Sequence, residues 1–316
     1  MYQLPVLAQC IRSAVHGAFA VLWHHGAVMR DRADRCPGVL RPWLADDGAL
    51  IRLRLPGGLI GAPALRGIAR VAGLFGDGNL HLTTRANLQI RGLPHDGGRV
   101  PAEVVEAVRE TGLLPSPAHE RARNILASPL TGLAGGRADL RGVTAELDRL
   151  LCGDPVLAEL PGRFLFCLDD GRGDIAGREL DLGLFALDAS RVRLRVGSGH
   201  GGPVVGPADA PAALIALARR FLHVRGSGPA APWHVDELPQ SGRELLEEPP
   251  SPPPHVPGGG PPPFGAIRQD DGRRAEHVAV PDGLLTAAEA VRLAALAPRL
   301  VVTPWRSVVV PDLEPS

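Results

Sequence analysis

The chain states one structural plan twice. The segment RLPGGLIGAPALRGIARVA from Arg54 has the plan of AVPDGLLTAAEAVRLAALA from Ala279. The segment LHLTTRANLQIRGL from Leu80 has the plan of LVVTPWRSVVVPDL from Leu300, about 220 residues later, so that Thr303 falls on Thr83 and Trp305 on Arg85. Turn, helix and strand come in the same order in both copies. That order points to an internal duplication of a strand–helix–strand unit, with a chance match of short segments as the alternative. Each copy is too small to bury a core alone. The two are therefore expected to pair in one sheet, with strand 80–91 beside strand 300–310.

Periodicity fills in the rest. Ala49 to Leu55 reads as a strand, broken by Pro56-Gly57-Gly58. Ala64 to Leu74 has helical spacing, with Leu65, Ile68, Val71 and Ala72 on one side. Leu80 to Arg91 alternates apolar and polar throughout and reads as one strand. Between the copies, helices are expected at Pro101–Thr111, Ala138–Leu151 and Ala210–His223. Strands are expected at Arg163–Leu168, Leu182–Ala186 and Val192–Val196, making a second α/β unit. The fold class is α+β. The expected division is a poorly ordered extension over 1–35, a first half-domain over 36–98, an α/β domain over 99–246, a linker over 247–263 and a second half-domain over 264–316. In that linker nine of the fifteen residues from Pro249 to Pro263 are proline, which suits a semi-extended solvated segment.

Composition removes several classes of function. The 316 residues are 45% apolar, enough for two or three packed domains. No run approaches the roughly 18 apolar residues of a membrane helix, so no membrane partner and a cytoplasmic location are expected. The 34 basic and 34 acidic residues cancel, which argues against a nucleic-acid partner. Every basic residue is arginine. Schiff-base and P-loop lysines are thus excluded, and any anion site must use arginine forks. Cys10, Cys36, Cys152 and Cys167 form no CxxC, so no zinc ribbon or ferredoxin-type run is present and no metal site is assigned.

Arg52 and Arg54 lie two apart on one strand face, and Arg85 and Arg91 lie on the polar face of its neighbour. Such a surface is either a wetted sheet with ordinary charges or a face that grips carboxylates or a small oxyanion through bidentate bonds. Asp169-Asp170-Gly171-Arg172-Gly173-Asp174 reads as a tight turn rather than a metal loop. Gly197 to Gly202 reads as a flexible loop near the same face.

The ordered set RLRLPGG at 52–58, GDGNLHLTTRANLQIRGL at 76–93, RNILASP at 123–129 and LPGRF at 160–164 resembles the siroheme nitrite and sulfite reductases. With RNILASPLTGL and LDDGRGDI, the set looks most like the precorrin-3B synthase branch of cobalamin biosynthesis. The resemblance covers about residues 36–313. It implies duplicated ferredoxin-like half-domains joined to a siroheme-binding-type α/β domain, and an oxidoreductase of tetrapyrrole metabolism. In the precorrin-3B synthase branch the reaction is an oxygen-dependent hydroxylation and ring lactonisation. Arg54 and Arg85 match the residues that grip the substrate anion, and Arg123 and Asn124 match the element bordering the tetrapyrrole. Arg163 stands where the reductases carry a lysine, and Leu165 stands where sulfite reductases carry a second. Loss of that cation argues against sulfite reduction.

The binding set implied is Arg52, Arg54, Arg85, Arg91, Arg123, Asn124 and Arg163. Of these, Arg52, Arg54, Arg85 and Arg123 are expected on one concave face. The cofactor implied is siroheme or a related tetrapyrrole. The family's [4Fe–4S] cluster uses cysteines expected beyond Pro311–Ser316, so its ligands are expected to be missing. Two readings stay open: a tetrapyrrole-handling redox enzyme, or a non-catalytic tetrapyrrole-binding remnant or subunit that a second chain completes.

Overall fold

The computed structural model describes residues 34–252 and 259–314. The extension expected over 1–35 lies outside them except for Asp34 and Arg35, as do residues 253–258 of the linker and the last two residues. The first unit comprises β1 (Trp43–Ala45), β2 (Gly48–Leu53), β3 (Leu59–Gly61), α1 (Ala62–Phe75), β4 (Asn79–Leu82), β5 (Leu88–Leu93) and α2 (Ala102–Glu110). The middle unit has β6 (Ile125–Ala127), α3 (Arg141–Cys152), β7 (Phe166–Asp169), β8 (Leu182–Ala186), β9 (Val192–Val196), β10 (His200–Val205) and α4 (Ala210–Arg225). The last has β11 (Gly265–Arg268), β12 (Arg274–Val278), β13 (Leu284–Thr286), α5 (Ala287–Leu293), β14 (Arg299–Val302) and β15 (Val308–Leu313).

The strands form three five-stranded sheets, in the orders β1-β2-β5-β4-β13, β10-β9-β8-β7-β6 and β11-β12-β15-β14-β3. The outer two are antiparallel, whereas the middle sheet pairs β6–β7–β8 in parallel. The α+β class holds, but the single sheet expected for the two copies is replaced by two sheets that trade an edge strand. β3 leaves its own unit and pairs with β14, Leu59 opposite Val301. β13 does the same in reverse on β4, Leu284 opposite His81. These registers are equivalent under the repeat. So are two hydrogen bonds that close the exchange: Ala62 N–H to the Pro298 carbonyl (2.9 Å) and Ala287 N–H to the Gly78 carbonyl (3.2 Å).

The turn before each exchanged strand explains the crossing. Pro56-Gly57-Gly58 and Pro281-Asp282-Gly283 each place two successive residues at positive φ, 64° and 73° in one and 55° and 73° in the other. That geometry turns the chain away from its own sheet. Gly58 also needs to lack a Cβ, because one would press into the Val302 carbonyl oxygen. The exchange merges the apolar faces into one core. Leu53, Ile60, Leu65, Ile68, Leu80, Ile90, Leu285, Leu300, Val302, Val308 and Val310 are all buried within it.

The long alternating strand 80–91 is a hairpin. Thr83 N–H donates to the Asn87 carbonyl (3.0 Å), Ala86 N–H to the Thr83 carbonyl (3.0 Å), and Ala86 sits at φ 54°. The second copy repeats the turn, with Thr303 to Ser307 at 2.9 Å, Arg306 to Thr303 at 3.1 Å and Arg306 at φ 58°. The middle unit has its own core, where Phe164 stacks near Phe221 (5.0 Å) and Phe166 (5.3 Å). The linker is pinned at both described ends: Ser251 and Gly201 exchange backbone bonds, and Gly259 N–H donates to the Gly173 carbonyl (3.1 Å). Gly197–Gly202 is likewise ordered, as the turn and first residues of the β9–β10 hairpin.

Candidate functional site

Where β2 ends, Arg52 and Arg54 project from the sheet towards the middle unit. Arg54 is only 2% exposed. Its guanidinium donates to the carbonyls of Pro37 (2.5 Å) and Arg52 (3.2 Å), to Asn124 Oδ1 (3.1 Å) and to the Gly162 carbonyl (3.5 Å). Burial, with Arg52 nearby, pushes it down to about 9. Asn124 ties the same knot, donating from Nδ2 to the carbonyls of Arg121 (3.0 Å) and Gly162 (2.9 Å) and accepting from Asn87 Nδ2 (3.4 Å). Asn87 Oδ1 in turn accepts from Leu55 N–H (2.9 Å). Arg54 and Asn124 thus weld the first half-domain to the middle unit from behind the open surface.

In front of them lies a cavity of about 570 Å³. Arg52, Arg85, Arg163 and Arg35 line it, with Trp43 and Trp233 as aromatic walls and Asp34, Cys36, Pro37 and Leu50 completing it. Arg85 comes from the Thr83–Asn87 hairpin tip, and its Nη1 donates to the Arg163 carbonyl (2.7 Å). Arg52 has the Gln89 side-chain oxygen as its partner, at 2.6 Å from Nη2 and 2.9 Å from Nε once that amide is turned to face it. Arg35 stacks on Trp43, with Cζ 5.5 Å from the ring centre. Among the described residues none of Arg52, Arg85 and Arg163 has a carboxylate partner. Burial pushes Arg52 and Arg85 below the ordinary arginine value, and their mutual repulsion adds to it for Arg52.

Asp34, the carboxylate in the lining, is already engaged. It accepts from Cys36 N–H (2.9 Å), Gly162 N–H (2.5 Å) and Arg121 Nη1 (3.1 Å). Burial opposes its charge, but these donors outweigh it and hold the carboxyl below its usual range. The Cys36 thiol beside it is pushed up, by burial first and then by Asp34. It is therefore a poor nucleophile.

Four residues of the expected binding set lie elsewhere in role or place, Asn124 with its knot behind the surface being the first. Arg123 faces α3, where Asp148 takes both arms of its guanidinium at 2.7 Å. The side chains of Arg123 and Asn124 part at a tight turn, where Ile125 N–H donates to the Arg123 carbonyl (3.1 Å), just before β6. Arg91 pairs with exposed Asp47 (Nε–Oδ2 3.0 Å) and does not line the cavity. It shares a strand with Gln89, the neighbour of Arg52, but lies further towards the end of β5. Arg54 is at the site yet spends its donors on protein oxygens. The concave face therefore gathers Arg52 and Arg85 with Arg163, and Arg123 is not on it.

Sequence reasoning missed Arg35, Trp43, Trp233 and Asp181. The last is fully buried and accepts from Leu165 N–H (2.8 Å) and Val235 N–H (2.9 Å), fastening the segments that carry Arg163 and Trp233. Burial pushes it up to about 6 against the pull of His234. A carboxylate entering the apolar run LDLGLFA was its one signal. The acidic segment is the expected turn: Asp169 accepts from Gly171 (2.9 Å), Gly173 (3.0 Å) and Ile175 (3.3 Å), and Arg172 forks Asp170 (2.7 and 2.9 Å). The ligand atoms of Asp169, Asp170 and Asp174 lie within 4.8 Å of one another, but these partners occupy them.

Residues 44–109 match the family model of the nitrite/sulfite reductase ferredoxin-like half domain. Over that half-domain the chain is similar to the nitrite and sulfite reductases. Precorrin-3B synthase is among its relatives. A ferredoxin–nitrite reductase of Leptolyngbya laminosa is 28% identical over 159 residues, 48% of this chain and 31% of that protein. A precorrin-3B synthase of Sinorhizobium sp is 29% identical over 147 residues, 46% of this chain and 30% of that protein. The matched stretches thus span about a third of these curated relatives. The solved structure of the Mycobacterium tuberculosis NirA protein shares the fold, with a TM-score of 0.71 at 21% identity over 89% of this chain and 59% of that one.

Proposed function

We propose that the cavity binds the carboxylate groups of an anionic tetrapyrrole, in an oxidoreductase of the precorrin-3B synthase kind. One observation carries this: Arg52, Arg85 and Arg163 line one cavity together with two tryptophans, and none has a carboxylate partner among the described residues. Like charges brought together in a half-buried space repel unless an anion enters. Guanidinium forks suit carboxylates, and indole walls suit a flat macrocycle. Arg52, Arg85 and Arg163 would hold siroheme or a related tetrapyrrole by its acidic side chains. Siroheme, when bound, supplies the redox-active iron. The chain's own residues bind and orient the macrocycle edge.

The described residues do not fit a [4Fe–4S] cluster. Cys36, Cys152 and Cys167 are free, and burial pushes the Cys167 thiol up to about 12. No set of three cysteine or histidine ligand atoms gathers among the described residues. That cysteine geometry favours a second reading, a tetrapyrrole-binding subunit completed by another chain. Reconstitution with iron and sulfide separates the two: a stoichiometric cluster EPR signal from this chain alone supports the self-contained redox protein.

Absorbance titration with an octacarboxylate porphyrin tests the binding itself. Removing one charge-assisted bond costs about 1.5–3 kcal/mol, so the R85A protein should bind roughly 10–100-fold more weakly. Equal binding by R85A would leave a wetted sheet with ordinary charges.

A further inference from the structure

Arg178 lies on the loop between β7 and β8, outside the cavity. Its guanidinium reaches both copies of the repeat. Nη1 donates to the Thr84 carbonyl (3.0 Å) and Nη2 to the Pro304 carbonyl (3.3 Å). Under the repeat Thr84 and Pro304 are the same position, the second residue of each hairpin turn. In both turns the first residue's carbonyl takes the closing bond, and neither second-position carbonyl accepts from the turn. The two carbonyls therefore meet at the junction of the half-domains with acceptor capacity to spare. A planar fork with two donor arms spans such a pair, and an ammonium does so far less well.

The residue after each capped carbonyl differs. In the first copy it is Arg85, which enters the cavity. In the second it is Trp305, whose ring lies 5.9 Å from the Arg178 guanidinium carbon. The second turn thus receives Arg178 where the first presents a cation. The loop behind Arg178 is itself braced, through the Asp169 bonds, the Ser128–Asp174 bond (2.7 Å) and the Arg195 bond to the Ala176 carbonyl (2.9 Å).

We infer that Arg178 is a positioning residue for Arg85: it locks the Thr83–Asn87 turn against its twin and so aims the Arg85 guanidinium into the cavity. This rests on the proposed binding of an anion by Arg85. It also explains why the second half-domain keeps the turn while losing the arginine.

A double-mutant cycle tests it, with porphyrin titration of R178A, R85A and the double variant. R178A should weaken binding about tenfold, the scale of one misaligned charged bond, and should cost nothing further in the R85A background. A role confined to general stability would lower affinity equally in both backgrounds. R178K, which keeps the charge but cannot span both carbonyls, carries the same cycle should R178A not fold, with a loss of several-fold expected. Wild-type affinity in both R178A and R178K, or an equal loss with and without Arg85, would overturn the inference. If R85A itself binds as the wild type does, it is the proposed anion site that fails.

Discussion

Arg85 Nη1 donates to the main-chain carbonyl of Arg163 at 2.7 Å, across a junction of two units 78 residues apart in the chain. The bond leaves the rest of the Arg85 fork in the cavity and sets the Arg163 side chain beside it. A cation contributed by a hairpin tip is thereby fixed by the backbone of the loop that contributes the next cation. The electropositive wall depends on domain packing and not on either strand alone.

Arg54 is a structural cation. Replacing it with alanine would leave the Pro37 carbonyl buried without its side-chain donor, and the Gly162 carbonyl and Asn124 Oδ1 with only the Asn124 and Asn87 amides. Losses of this kind cost about 2–4 kcal/mol. Urea unfolding of R54A should show a lowered midpoint, and R54K should recover little of it, since one ammonium cannot reach all four oxygens. Wild-type stability in R54A would mean that the knot contributes nothing.

Arg91 offers the contrast. Its pairing with Asp47 is exposed, and such pairs are screened by solvent. The R91A protein should keep both the wild-type unfolding midpoint and its porphyrin affinity. A marked loss of affinity would extend the site beyond the cavity described.

Gly58 and Gly283 occupy equivalent turns at the same φ of 73°. Alanine at either carries the left-handed penalty of about 1 kcal/mol. At Gly58 the new methyl would press hard into the Val302 carbonyl oxygen, whereas at Gly283 it would meet Arg306 Cδ at 3.0 Å, Arg306 Cβ at 3.1 Å and the equivalent Leu82 carbonyl oxygen only at 3.3 Å. G58A should therefore be the less stable protein of the two in denaturant titration. Equal costs would show that φ alone decides.

Asp174 makes stability fall with rising pH. Burial first, with Asp169 and Asp170 adding repulsion, pushes its carboxyl up to about 6 from an ordinary 3.8. Below the ordinary value both folded and unfolded chains are protonated, and the contribution is fully present. Between there and about 6 the unfolded chain ionises first, so stability is lost as pH rises. D174N removes that loss. Relative to the wild type it should gain roughly 2–3 kcal/mol between pH 4 and pH 7. A difference independent of pH would contradict the raised value.

The repeat was legible because duplication preserves turn chemistry: Pro-x-Gly and Thr-x-x-x-Asn/Ser kept their places and their backbone conformations. β8 and β9 were legible to the residue because the apolar run of one and the alternating run of the other are short and bounded. Alternation misled at 80–91, because both arms of the hairpin face one core and the turn happens to keep the count. Strand exchange was invisible, since β3 and β13 are only three residues each and their partners lie in the other copy. The site was half legible. Arg52, Arg85 and Arg163 follow from strand faces and motif, but Arg35 and Trp233 reach the cavity from separate loops that carry no signal. Only tertiary packing decides that Arg123 turns to Asp148 while its neighbour turns to Arg54.

The most direct test of the account is one porphyrin titration on three proteins: wild type, R91A, and a variant lacking Arg52, Arg85 and Arg163 together. With three charged contacts removed, the triple variant should bind at least about 100-fold more weakly, while R91A matches the wild type. A triple variant that binds the octacarboxylate porphyrin as tightly as the wild type would contradict it.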